Sequence, residues 1–171
     1  INNNKINIID VDFSFKKPFD RISKKSKKYI NECFNVGFKI IKKFNIKFLI
    51  TGPVSKKHFL EKKFQGVTEY LAKKTNKSGE EAMLIYNKKL SVCPITTHDA
   101  LRNIFKKITK KNIVKKVFKI NKFYKEILKK NVSFAVTGVN PHCETKEKFN
   151  EEKKIIIPAI KFLKNKGVKI E

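Results

Sequence analysis

The sequence predicts an α/β domain: a layered α/β/α arrangement around a mixed sheet. Three observations predict it. Short β-branched or aromatic runs alternate with stretches whose apolar residues fall three and four apart. Polar, turn-prone segments follow several of those runs: Thr51-Gly-Pro-Val-Ser-Lys56, Thr96-Thr-His-Asp99 and Gly138-Val-Asn-Pro-His-Cys-Glu144. Finally, 171 residues with 40% hydrophobic content suit one domain with a real core. No internal repeat, proline-rich linker or domain boundary interrupts the chain, so residues 1–171 read as a single unit.

Taken in order, residues 6–11 form a candidate strand after a loop-like Asn-rich start. Ser23 can cap a helix running through Phe44, with Ile30, Cys33, Phe34, Phe38, Ile41 and Phe44 on one stripe. Gly37 lies on that stripe and is expected to permit close packing, since a mid-helix glycine otherwise costs about 1 kcal/mol. A short strand over 48–51 ends at Gly52-Pro53. Ser55 starts a brief helix, and another follows around Thr68. Residues 82–86 and 90–95 flank Asn87-Lys-Lys89 as a hairpin. Leu101, Ile104, Phe105 and Ile108 mark a helical face. Thr109 caps the long helix after it, whose apolar face carries Ile113, Val117, Ile120, Tyr124, Ile127 and Leu128. Residues 132–137 are the clearest buried strand. Glu151 and Glu152 open the next helix, where negative charge is favoured. Gly167 ends that helix, and 168–170 enters a further strand.

The formal charge of +26 invites a nucleic-acid reading. The basicity is nearly all lysine, however, with only Arg21 and Arg102 as arginines, and base readout favours arginine. The lysines spread over every predicted helix. Lys, Asn, Ile and Phe make up more than half the chain, and all have A/T-built codons, so compositional drift accounts for the charge better than a nucleic-acid surface. A basic nucleic-acid-binding module stays as the alternative from a different class. Apolar runs are too short to span a bilayer, and residues 1–20 lack the charged, apolar and small-residue order of a secretory leader, so none is expected in this stretch. Cys33, Cys93 and Cys143 are odd in number and widely spaced, which argues for a reducing cytoplasm over a disulfide framework.

Of three histidines, His58 sits on a short lysine-rich helix and reads as a surface residue. His98 and His142, 44 positions apart, each follow a predicted strand. Open α/β folds place their chemistry at such strand ends. Neutral imidazoles suit Zn, Co, Mn or related divalent ions, and Asp99 or Glu144 can orient the rings or add oxygens. Two histidines alone are short of the three protein ligands a catalytic metal takes. Thr68, Lys56 and Asn140 belong to a rim of hydroxyl, ammonium and amide groups suited to a small anionic substrate. The competing reading is that the hydroxyls cap helices and the lysine is solvated. Neither GxGxxG nor Walker A occurs, so a dinucleotide bound in the Rossmann manner is unsupported.

In these segments the sequence resembles the 4-hydroxythreonine-4-phosphate dehydrogenase family of vitamin B6 biosynthesis. The resemblance runs from about Arg21 to Gly167. It rests on Thr51-Gly-Pro-Val-Ser-Lys56 with Gly66-Val-Thr-Glu69, on Thr96-Thr-His98 with Leu101-Arg102, and on Gly138-Val-Asn-Pro-His142 leading to Glu151-Glu152 and Ile157-Pro-Ala-Ile160. It implies a fold of the isocitrate and isopropylmalate dehydrogenase kind, whose dinucleotide site is not the Rossmann one. It further implies a homodimer that uses NAD or NADP and a divalent ion (Zn, Mg, Co or Mn) to oxidise 4-phosphooxy-L-threonine. Loss of carbon dioxide from the 2-amino-3-oxo acid then yields 3-amino-2-oxopropyl phosphate. By this resemblance His98 and His142 are two of three metal-binding histidines, and Thr68 touches substrate.

Two departures follow from it. The family's Gly-His-Thr-Glu reads Gly-Val-Thr-Glu here, so Val67 cannot make the histidine's hydrogen bond to substrate. That opens related substrates such as erythronate or threonate 4-phosphate. The third metal histidine, the phosphate contacts and most of the cofactor site fall beyond Glu171, so the chain is expected to be the central part of a two-domain subunit, inactive alone.

Overall fold

Where the sequence spaces its apolar residues three and four apart, helices form. The computed structural model describes residues 4–61, 63–143, 145 and 148–171. Helices α1 (Ser26–Lys43), α2 (Val67–Lys74), α3 (Leu101–Lys107), α4 (Lys110–Glu126) and α5 (Ile157–Asn165) are accompanied by two π-helical turns, Lys56–Leu60 and Glu152–Ile156. The chain divides into two compact units, Ile1–Gly79 and Glu80–Glu171, each with its own apolar core.

In the first unit the stripe on α1 is used as predicted at Ile30 and Phe34, which pack on buried Phe59, Leu60 and Tyr70. The Phe34 ring lies 5.8 Å from Phe59 and 5.2 Å from Tyr70, spacings at which aromatic pairs attract. Burial obliges the Tyr70 phenol to find a partner, and it donates to Asn31 Oδ1 at 3.0 Å. The same burial raises its pKa. Ser23 serves α1 through its carbonyl, which accepts from Ser26 Oγ at 3.0 Å, and not through a hydroxyl cap. Gly37 differs from its expected role: a Cβ built there meets nothing within 4 Å.

The second unit is organised by α4. Thr109 Oγ1 accepts from Asn112 N–H at 3.2 Å, the predicted cap. Ile113, Val117, Ile120 and Tyr124 are all buried on the predicted face. Pro158 stands in the first turn of α5, where its missing N–H costs nothing. Ala159 and Leu163 on the same helix are wholly buried. Gly167, at φ +76°, reverses the chain at little cost. Val168 and Ile170 thereby return to the core formed by Ile113, Val117, Ile156, Ala159 and Leu163.

The expected α/β/α layers and mixed sheet, of the isocitrate and isopropylmalate dehydrogenase kind, are overturned. Among the described residues the regular structure is helical, and backbone pairing is limited to two isolated bridges, Ile85 with Val92 and Phe134 with Ile170. Alternation of side chains survives without a sheet. Along 131–140 every even-numbered residue is half-buried and every odd one exposed, the period of a strand. A strand also needs a row of neighbouring backbone groups. Residues 6–11 and 48–51 lack one among the described residues, and Ile6 and Ile50 are 90% and 96% exposed.

Between 82–86 and 90–95, side chains take bonds that ladder rungs would use. Asn87 Oδ1 accepts from Lys89 N–H at 2.9 Å, while Ser91 Oγ accepts from Asn87 N–H at 3.1 Å and donates to its carbonyl at 3.0 Å. The parallel pairing at Phe134 comprises three bonds to residues 169 and 171, of 2.8 to 3.0 Å.

Candidate functional site

In the second unit, the segment 96–99 runs into α3 with Ala100 at its N-cap. Asp99, whose side chain is 10% exposed, pairs with Lys107 Nζ at 2.5 Å. That partner explains why its carboxylate is not committed to orienting His98, as the sequence had suggested. His98 itself is exposed, and its ring has no partner among the described residues.

The loop over 138–143 is more tightly determined. Val139 N–H donates to Glu152 Oε1 at 2.8 Å. Asn140 Oδ1 accepts from His142 N–H at 3.0 Å, and its carbonyl accepts from Cys143 N–H at 3.1 Å. Gly138 lies close to Cys143: a Cβ there would stand 2.4 Å from its Sγ, so the thiol would have to shift. These bonds present the His142 ring outward, exposed and without a ring partner among the described residues. Glu144, the other expected orienting group, lies outside the described residues. The Asn140 amide oxygen is thus used in shaping its own loop.

In the first unit, Ser55 caps the π-helical turn Lys56–Leu60, as expected. Its Oγ also lies 2.9 Å from His58 Nδ1, and His58 is half-buried. The reading of His58 as a partnerless surface residue is therefore corrected by a contact three residues away. Lys56 and Thr68 are exposed. Val67 turns inward onto the cluster of Phe59, Leu60 and Tyr70. A groove of about 710 Å³ lined by Phe13, Arg21, Lys27, Ser55, His58 and Phe59 was not anticipated. The sequence had suggested no element over residues 13–22, which form one of its walls.

Two imidazoles are donors of the right type for a divalent ion. Among the described residues, though, no three His, Cys, Asp or Glu side chains gather where they could hold one. The described donor set does not by itself complete a metal site.

The profile of the family described as "Pyridoxal phosphate biosynthetic protein PdxA" matches residues 1–171. The chain belongs to the PdxA family. A 4-hydroxythreonine-4-phosphate dehydrogenase of Sulfurihydrogenibium sp. is 36% identical over 171 residues, covering 96% of this chain and 51% of that protein. A D-threonate 4-phosphate dehydrogenase of Pectobacterium atrosepticum is 33% identical over 125 residues, covering 71% of this chain and 38% of that protein. The crystal structure of 4-hydroxythreonine-4-phosphate dehydrogenase from Klebsiella pneumoniae aligns with a TM-score of 0.74 at 26% identity, covering 88% of this chain and 47% of that chain. This PdxA-family chain thus spans about half the length of such relatives, or less. No helix among its described residues is long and apolar enough to cross a membrane.

Proposed function

We propose that this chain is the central part of a two-domain, homodimeric, cytoplasmic dehydrogenase subunit. Using NAD or NADP, the subunit oxidises 4-phosphooxy-L-threonine to 2-amino-3-oxo-4-phosphooxybutanoate. A bound nicotinamide would supply the acceptor for the carbinol hydride, with the hydroxyl proton released. The new ketone lies β to the carboxylate, so it accepts the electron pair of the breaking C–C bond as carbon dioxide leaves. Protonation of the resulting enolate gives 3-amino-2-oxopropyl phosphate. The observation that carries this reading is the family match across residues 1–171.

His98 and His142 are assigned as two ligands of a divalent ion (Zn, Mg, Co or Mn), supported by their exposed rings, which have no partner among the described residues. Thr68 is assigned to substrate, with Lys56 and Asn140 as further polar contacts. The partner is a small phosphorylated hydroxy acid and not nucleic acid, because α1, α2, α4 and α5 each carry lysines that composition explains. Metal titration of the complete gene product tests the ligand assignment: H98A and H142A should each weaken binding at least tenfold, and unchanged binding removes the residue from that role.

A second reading has its own observation. Val67 packs on an aromatic cluster and offers no hydrogen bond, and one relative is named as acting on D-threonate 4-phosphate. Comparing kcat/KM for 4-phosphooxy-L-threonine, D-threonate 4-phosphate and erythronate 4-phosphate decides between them. A tenfold or greater preference for either of the last two would replace the first substrate.

A further inference from the structure

Glutamate is seldom buried without a charge partner, yet Glu152 is only 6% exposed at the start of the turn Glu152–Ile156. One carboxylate oxygen accepts the Val139 N–H at 2.8 Å. The other is buried with no partner among the described residues. Fold stability alone would be better served by a side chain without that second oxygen. What the carboxylate accomplishes is a single bond to a loop thirteen residues away.

Both ends of that bond are firmly held. Asn150, 7% exposed, accepts from Lys153 N–H through Oδ1 at 2.8 Å and from Lys154 N–H through its carbonyl at 2.9 Å. This fixes the backbone on either side of Glu152. At the loop, Val139 stands between Gly138, pressed against Cys143, and Asn140, whose amide oxygen holds the His142 N–H. A continuous set of short contacts leads from the core-facing turn to His142.

We propose that Glu152 is a positioning residue that sets the loop carrying Asn140 and His142 for the dehydrogenation proposed above, on which this inference rests. Glu152 acts through the Val139 amide.

The test uses the complete gene product as wild type, E152Q and E152M. Glutamine keeps an acceptor and removes the buried charge; methionine has similar length and no acceptor. Amide hydrogen exchange over 138–143, kcat and KM measured separately, and Tm are the readouts. E152M should exchange that loop at least tenfold faster and lose roughly 10- to 100-fold in kcat/KM, the range for lost supporting contacts. E152Q should stay within about threefold of wild type in both. Wild-type exchange in E152M, or equal losses in E152Q and E152M at unchanged Tm, overturns the proposal. Should E152M fail to fold, E152Q decides: unchanged loop exchange supports the role and tenfold faster exchange overturns it. A wild-type protein that oxidises none of the three phosphorylated acids removes the dehydrogenase reading instead, and the exchange comparison still settles whether Glu152 sets the loop.

Discussion

Replacing Gly37 by alanine separates two accounts of α1. On the sequence stripe, glycine at this position implies a neighbour too close for a side chain. In the structure a Cβ there would meet no atom within 4 Å, and Gly37 is not among the residues with positive φ. The steric term opposing alanine is therefore absent. The favourable terms remain: alanine exceeds glycine by about 0.8–1.0 kcal/mol in a helix interior, chiefly because the unfolded chain has less freedom to lose. G37A should raise unfolding free energy by about 1 kcal/mol. Urea unfolding would show this as a higher midpoint at unchanged m-value. The reasoning is refuted if G37A loses 1 kcal/mol or more at the same m-value, since that requires a surface packed directly on position 37.

Two further predictions rest on burial. Leu163 is wholly buried among Ile113, Val117, Ile156 and Ala159, so L163A should cost about 2–5 kcal/mol, read by denaturant or thermal unfolding. A loss under 1 kcal/mol would show that this core collapses around the missing atoms. Burial raises the Cys93 thiol pKa, against a smaller opposing effect of Lys116, while Cys143 is exposed. Alkylation at pH 7.5 should label Cys143 first, and Cys93 should accelerate as pH climbs beyond the usual thiol range of about 8.5. Mass spectrometry showing Cys93 modified first would contradict that order.

Local chemistry was legible from the sequence because helices are made by near neighbours. Thr109 reaches the amide three residues on, Ser55 caps its turn the same way, and the i, i+3 and i+4 spacing of Ile113, Val117, Ile120 and Tyr124 named the buried face correctly. Even the His58 contact was within reach, since Ser55 lies one turn before it. The polar segments ending at Lys56, Asp99 and Glu144 carried the resemblance, and the family it named is the one whose profile matches residues 1–171.

Other features were decided by residues far apart in the chain. Alternation marked 132–137 as strand-like, but a ladder depends on partners that no local pattern supplies, and among the described residues the backbone bonds to it come from residues 169 and 171. The turn at Asn87 spends its backbone groups on side chains before a second rung can form. Asp99 belongs to Lys107, and the Val139 amide belongs to Glu152. Periodicity encodes which face of a segment turns inward, because backbone geometry repeats along it. Which carboxylate meets which donor depends on how separate segments pack, so those pairings came only from the tertiary structure.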